Sequence, residues 1–502
     1  MRELFVKKNG LWVLLALLAV KGLLLLWLVV ASPLGLSPDE AQYWTWSQSL
    51  DWGYYSKPPG IAWQIALTSG VLGSTSLGVR AGALIIGFLL PLVVFGIARG
   101  ARMGGQIPFW AGVVMAFSPI GVYLTFAATT DGGAILFLTC AVLLVVKGVE
   151  REEGPSFGWV GLMILLGALY KWTAYIFWPL LLPFLFFVPK LRKKMLLWGI
   201  LLSLLALVPT VYWNASHEWA TFKHVGGAIG EKKGGNFFDF LGAQIGLLSP
   251  VYFFYLVLGC FFSYREKRKS FWFQAAFPTL VLLYLGGAFF KKMQPNWAAY
   301  LYPPGLALVG WFALEKGKRG SLWLTLGTVV SIGIVAFGLL VPLFQKNDLF
   351  SIPYKLNPFR QTLGWENLQK GLSEAGYNPE TDFLFGDKYQ TASLLSFYSP
   401  QQKRAYYFNI SQSRKTQFSY WPQMEQEEVG KDGYFVVLEN TTQEKLPRYE
   451  NRYLKALTPY FEKVSFVEAF PLFTANDTPV KYALIFYAQN YSGKAPTTPK
   501  KY

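Results

Sequence analysis

Long apolar runs alternate with short polar connections through the first two thirds of the chain. The runs fall at 11–31, 78–98, 107–127, 132–149, 157–170, 172–189, 195–213, 241–263, 271–290, 298–314 and 321–344. Most approach the ~20 residues that a helix needs to cross a bilayer. The pattern therefore predicts eleven spanning segments. The pieces 157–170 and 172–189 are short and separated only by Lys171. Residues 61–77 read as an added partial or re-entrant helix. Met1 to Val30 is too long and too apolar for an ordinary cleaved signal peptide, and Ala31-Ser32-Pro33 is a poor cleavage site, so it is read as a retained first span.

The pattern changes near residue 345. Charges of both signs become frequent and no long apolar run follows. Trp365 to Gly376 reads as a short helix ended by glycine, and Tyr389 to Tyr398 as another. Phe383 to Gly386, Tyr406 to Ile410, Tyr434 to Glu439, Val464 to Phe470 and Tyr482 to Tyr487 read as short strands, several with alternating β-branched or aromatic residues. The division predicted is a membrane domain over 1–344, with a first outer loop at 32–77, and a small α/β domain over 345–502. At about 150 residues the latter is large enough to hold its own core. The tail from Ser492 to Tyr502, rich in Pro, Thr and Lys, reads as disordered.

Composition agrees with the membrane reading. Of 502 residues, 53% are hydrophobic and only 15% charged, against roughly 25% charged in soluble domains. The two cysteines, Cys140 and Cys260, lie inside apolar runs, so no disulfide framework is indicated. The net charge of +17 would suggest nucleic-acid binding in a soluble protein. Here it sits largely in alternate short loops and is read as orienting the chain instead. One set of loops holds Arg99 and Arg102, Lys190 with Arg192 to Lys194, Arg265 with Lys267 to Lys269, and Lys316 with Lys318 and Arg319. The opposite set holds only Lys57, Lys171, Lys223, Lys232, Lys233, Lys291 and Lys292, with Arg80 near a membrane edge. The N-terminus is thus expected in the cytoplasm. The 32–77 loop, the 214–240 loop and the C-terminal domain are expected together on the outer face.

Candidate chemistry gathers on that outer face. Ser37 to Gly60 (SPDEAQYWTWSQSLDWGYYSKPPG) carries two adjacent acids, Asp39 and Glu40, and a dense aromatic run. The acids either solvate an interface or do chemistry. The aromatics, Tyr55 among them, read as an interfacial belt or as a surface for sugar or lipid. Lys57 precedes two prolines that stiffen the backbone, and as one of few outer cations it suits a phosphate. Asp131, between two apolar runs, is costly unless solvated or used, although a first-turn acid also suits the helix dipole. Lys171 should meet the interface or an anion. His217 and Glu218 lie in the next outer loop with His224, at a spacing unlike a zinc-protease motif. Lys291, Lys292 and Asn296 form another basic-polar turn.

The ordered motifs SPDEAQYW, YYSKPPGIAW, TTDGGAILF, GALYKWTA, WNASHEWATF, QIGLLSP, KMQPNWAAYLYP and GDKYQTASLLSFYSP resemble those of bacterial GT-C glycosyltransferases related to protein O-mannosyltransferases and to the lipid A aminoarabinose transferase. The resemblance implies an α-helical polytopic membrane protein of eleven to thirteen spans with a small C-terminal extracytoplasmic α/β domain. It implies a bacterial inner-membrane enzyme that moves a sugar, with inversion, from a polyprenyl-phosphate donor to a lipid A, envelope-glycan or protein acceptor. By position, Asp39 corresponds to the catalytic base, Glu40 to its acidic partner, Asp131 to a second acidic site residue and Lys57 to a lysine near the donor phosphate. Tyr55, Lys171, His217, Glu218, Lys291, Lys292 and Asn296 are expected near substrate. No obligatory metal is expected, because basic side chains can hold a monophosphate, although a divalent ion is not excluded. Nucleic acid is not an expected partner. The insertion typical of eukaryotic protein O-mannosyltransferases is not found. A transporter or flippase of lipid-linked sugars is the alternative, and it would place acids in mid-membrane at broken helices.

Overall fold

The computed structural model describes residues 2–151, 153–230, 234–347, 349, 353–475 and 477–497. Lys232, Lys233 and the end of the tail from residue 498 lie outside the described residues. The first two thirds are helical and the last third holds a small mixed sheet. This is the architecture of a polytopic membrane protein with a C-terminal α/β domain.

Among the described residues, six helices are long and apolar enough to cross a bilayer: Asn9–Ala31, Ser76–Gly100, Thr130–Glu150, Met195–Ser216, Lys269–Gly287 and Gly317–Gln345. Two further expected runs are bent. Ile107–Phe117 meets Pro119–Phe126 at 60°, and Phe237–Leu248 meets Pro250–Ser263 at 96°. In both, the residue before proline leaves the helical region: Ser118 is extended and Ser249 takes φ 78°. Proline disfavours the helical region in the residue before it; Ser118 takes the extended alternative, while Ser249 takes a positive φ. Counting each bent pair as one span gives eight, fewer than the eleven expected from hydropathy. The difference lies in the shorter apolar helices Phe157–Tyr170 and Trp172–Phe187, and in 298–314, where three 3-10 turns precede Ala307–Glu315; the added partial helix expected at 61–77 is the short apolar helix Gly60–Leu72.

The first outer loop is structured. Pro38–Ser47 is a helix whose start is written in Ser37-Pro38-Asp39-Glu40. The Ser37 hydroxyl accepts from the Glu40 amide, and the Glu40 carboxylate accepts from the Ser37 amide. This reciprocal cap satisfies two orphan donors, and Pro38 sits where its missing N–H costs nothing. The aromatic run that follows forms a core. Trp44, Trp46, Tyr54 and Tyr55 are buried, and Trp46 stacks on Tyr54 at 4.6 Å. Trp52 alone of the run is well exposed.

The C-terminal sheet has the order β2-β1-β3-β5-β4. Its strands are β1 (Phe383–Gly386), β2 (Tyr406–Tyr407), β3 (Gly433–Glu439), β4 (Phe461–Ala475) and β5 (Thr478–Tyr491). β1 runs parallel to both β2 and β3, and β3, β5 and β4 are antiparallel in turn. The helix Tyr389–Tyr398 stands where the sequence predicts it. Leu446–Leu457 was not predicted, because its charged face masks the apolar stripe carrying Tyr453 and Leu457. The β4–β5 hairpin is longer than its apolar centre suggests, and register shifts interrupt its alternation.

This domain is packed onto the first loop. Tyr398 hydroxyl accepts from the Leu36 amide at 2.6 Å, and Phe397 meets Trp44 edge-on at 4.9 Å. Gln417, itself buried, accepts from the Tyr55 amide at 2.7 Å.

Candidate active site

A cavity of about 250 Å³ opens where the first loop, the start of Thr130–Glu150, the end of Phe157–Tyr170 and the C-terminal domain converge. Its walls include Asp39, Tyr55, Lys57, Asp131, Lys171 and Asn296. Six of the residues singled out in the sequence therefore meet in one place.

Local structure explains the meeting. Tyr54 and Lys57 close a tight turn through mutual backbone hydrogen bonds of 3.0 and 3.3 Å, and Pro58-Pro59 leads out of it. At Gly60 a Cβ would stand 2.7 Å from the Leu169 carbonyl oxygen, so the backbones approach closely only because the residue is glycine. That crossing sets the Lys57 turn beside Lys171, which is extended (φ −159°) just past the end of its helix. Lys171 Nζ donates to Asp131 Oδ1 at 2.7 Å, and Asn296 Nδ2 donates to Asp131 Oδ2 at 3.2 Å. Asp131 is thus held as a fully engaged carboxylate. Asp39 lies across the cavity with no such clamp among the described residues and is accessible from it.

The electrostatics divide the groups. Asp39 has its pKa raised, first by the protein that displaces water around it and also by Glu40, with Lys57 opposing. Such a carboxylate is a stronger base than a free one. Lys57 has its pKa lowered, by desolvation first and then by Lys171, with Asp131 and Asp39 opposing and Arg414 adding to the effect. His224, in the wall beside Tyr55, is pushed down to about 4 by burial, Arg414 and Lys57, so it is neutral at physiological pH.

Glu40 is not part of this wall. Its carboxylate faces the other way and forms a buried ion pair with Arg80, Nε to Oε1 2.9 Å and Nη2 to Oε2 2.9 Å. It also accepts from the amides of Ser37 and Ala128. Burial alone would raise its pKa, but Arg80 and the two amides outweigh that and hold it below the usual range. Arg80 in turn donates to the carbonyls of Leu34 and Gly35 and lies over the Phe126 ring. The pair ties the first loop to the helix Ser76–Gly100. The expected acidic partner of Asp39 thus lies outside the cavity lining, where it joins the first loop to that helix.

His217 and Glu218 also stand away from the cavity wall. The His217 ring stacks on Trp213 at 4.1 Å, and its Nδ1 lies 2.7 Å from the Trp213 carbonyl oxygen. Glu218 pairs with Lys415 of the C-terminal domain at 2.8 Å. Lys291 and Lys292 lie outside the lining as well. In their place the C-terminal domain supplies Tyr389, Arg414 and Thr416, and the membrane part adds Tyr43, Tyr123 and Thr130. Sequence reasoning misses Tyr389, Arg414, Thr416 and Tyr123, whereas Tyr43 belongs to the aromatic run of the first loop and Thr130 to the motif TTDGGAILF. Tyr389 stands in a motif it had noted, GDKYQTASLLSFYSP, whereas nothing local marks Arg414. Among the described residues, no group of three or more His, Cys, Asp or Glu side chains is placed to hold a metal ion.

Comparison with known proteins agrees with the motif resemblance. Residues 56–213 match the family described as dolichyl-phosphate-mannose-protein mannosyltransferase. The chain is 29% identical over 313 residues to a lipid A galacturonosyltransferase, RgtD, of Rhizobium johnstonii. That match covers 59% of this chain and 64% of the relative, less than two thirds of its length. The fold is similar to that of ArnT from Cupriavidus metallidurans. The TM-score is 0.62 for its apo structure and 0.63 for its structure bound to undecaprenyl phosphate, with 14% identity to each. Both superpositions cover 94% of this chain and nearly all of the other, 97% and 98%. The chain thus shares the fold of ArnT, as expected from its motifs.

Proposed function

We propose that this GT-C-fold chain is an inverting glycosyltransferase that moves a sugar from a polyprenyl-phosphate donor to an acceptor hydroxyl of the cell envelope. The observation that carries the reading is the cavity in which an accessible carboxylate, Asp39, faces the cations Lys57 and Lys171. In the reaction the acceptor oxygen bonds to the anomeric carbon as the bond from that carbon to the phosphate oxygen breaks. Asp39 takes the hydroxyl proton. The electron pair leaves with the phosphate, which gains a negative charge, and Lys57 meets that charge where it develops. Attack from the face opposite the leaving group inverts the centre. Asp131 acts by holding Lys171 in the wall.

The names of the relatives support the substrates. A lipid A galacturonosyltransferase and a fold shared with a protein seen with undecaprenyl phosphate favour a lipid-phosphate donor and a lipid A-type acceptor. The basic loops favour a bacterial cytoplasmic membrane with the N-terminus inside and the cavity and C-terminal domain outside. The two helix breaks carry Ser118-Pro119 and Ser249-Pro250 rather than acids, which favours a transferase over a transporter.

The test uses purified protein, a synthetic polyprenyl-phosphate sugar and lipid A. Asp39→Asn is expected to lower transfer by ~10²–10⁴-fold, the usual contribution of a general base, at unchanged membrane levels. Near-normal transfer by this variant refutes the assignment of the base.

A further inference from the structure

The charges of the cavity do not all serve the reaction just described. Lys171 is engaged by Asp131. Lys57 sits on the turn next to it, on the side formed by the membrane helices. The donor phosphate is tethered to an isoprenoid in the bilayer, so that side is where it must lie. Arg414 enters from the other side, on the segment that follows β2. Its guanidinium lies over the rings of Tyr55, at 5.6 Å, and Tyr389, at 5.9 Å. Among the described residues no carboxylate pairs with it.

Arg414 is also held in place. Ser413 donates its amide to Asn409 Oδ1 and accepts from Asn409 Nδ2. Lys415 pairs with Glu218, and Gln417 is locked to the Tyr55 amide. The sheet explains the placement. β1 has parallel neighbours on both sides, with β2 reached in one direction and β3 in the other. Its carboxyl end is therefore a switch point, where open α/β sheets bind ligands. Tyr389 follows the end of β1 and Arg414 follows the end of β2, and both line the cavity.

We propose that Arg414 is a specificity-determining residue of the transfer site, binding a carboxylate on the transferred sugar, so that the enzyme selects a uronic acid over the neutral hexose of the same configuration. This rests on the transferase reading and deepens it. An arginine fork matches a carboxylate in a two-bond geometry that lysine cannot reproduce. The flanking Tyr55 and Tyr389 rings orient the fork and partly shield it from water, and they offer apolar faces to the sugar ring. The donor phosphate and an acceptor phosphate are the other anions of the reaction, and the experiment separates them.

Purified full-length protein is given two synthetic polyprenyl-phosphate donors, galacturonosyl and galactosyl, with lipid A bearing or lacking its phosphates. The wild type is expected to transfer the acidic sugar in preference. Arg414→Gln is expected to lower kcat/KM for the acidic donor on the order of 100-fold, as for an unpaired charge partner. Transfer of the neutral sugar should be within a few-fold of wild type, and Arg414→Lys should restore only part of the loss. An equal loss with both donors assigns Arg414 to the phosphate or to the fold and overturns the proposal. So does a loss that follows the acceptor's phosphates, or no loss at all. If the wild type transfers neither sugar while binding both donors, it is the transferase reading that fails.

Discussion

Glu40→Gln offers a sharp test of the site's anatomy, because it and Asp39→Asn alter neighbouring acids with opposite expected consequences. The Glu40 carboxylate accepts four hydrogen bonds, two from Arg80 and one each from the Ser37 and Ala128 amides. Both members of the ion pair are buried, with side-chain exposures of 2% for Glu40 and 0% for Arg80. Neutralising the acid leaves the Arg80 charge in the interior with only two carbonyls and a ring as company. Breaking one member of a buried pair costs about 3–5 kcal/mol. Because the pair joins the first loop to the helix Ser76–Gly100, that cost falls on the platform that carries Asp39 and Lys57. Glu40→Gln should therefore melt well below wild type in detergent and inactivate faster at a given temperature. Asp39→Asn should melt close to wild type while losing transfer. Replacing both partners, as Glu40→Leu with Arg80→Met, removes the stranded charge but leaves the Ser37 and Ala128 amides and the Leu34 and Gly35 carbonyls without their side-chain partners, so it should recover only part of the stability. The assay is a thermal series followed by size-exclusion chromatography, with transfer measured before heating. A Glu40→Gln protein as stable as wild type but inactive would refute this joining role and return Glu40 to the chemistry.

Other outcomes follow from the same geometry. The pH profile of kcat/KM should be bell-shaped and narrow: Asp39 must be ionised to act and its pKa is raised, so the acid limb lies above the ordinary aspartate range. The Lys57 charge is lost on raising pH through a lowered pKa, so the alkaline limb lies below the ordinary lysine value; limbs at about 4 and 10.4 would contradict this. Lys171→Met removes the cation that Asp131 holds in the wall, with a charged hydrogen bond worth about 1.5–3 kcal/mol, and should lower kcat/KM for transfer roughly 10–100-fold. Gln417→Ala leaves the Tyr55 amide unpaired in the interface, at about 1–3 kcal/mol, and should expose the first loop to limited proteolysis without altering the helices seen by circular dichroism.

Much of this was readable in the chain because the signals are local. A first-turn Ser-Pro-Asp-Glu encodes its own cap, Lys57 is marked by the prolines behind it, and Asp131 and Lys171 are marked by the apolar runs they interrupt. Hydropathy locates those runs, but a Ser-Pro step can bend a span by tens of degrees without altering its mean hydropathy, so the number of straight crossings was not readable. The roles of Glu40 and Glu218 were hidden for a different reason. An acid is classified by what it meets, and Arg80 and Lys415 are 40 and 197 residues away. Arg414 is the extreme case: in Ser413-Arg414-Lys415 it has the look of any solvated basic loop, and only the docking of the Tyr389–Tyr398 helix and of Gln417 onto the first loop brings it to the cavity.

The hydrogen bond between the Tyr55 amide and Gln417 spans 362 residues of sequence. Chains are made from the amino end, and domains settle in that order. The acids and lysines of the cavity are therefore inserted long before its far wall exists. A nascent chain halted before Tyr389 would carry Asp39 and Lys57 on an open surface, without the wall that Tyr389 and Arg414 supply. The cavity is thus complete only once the chain as far as Gln417 has been delivered to the membrane.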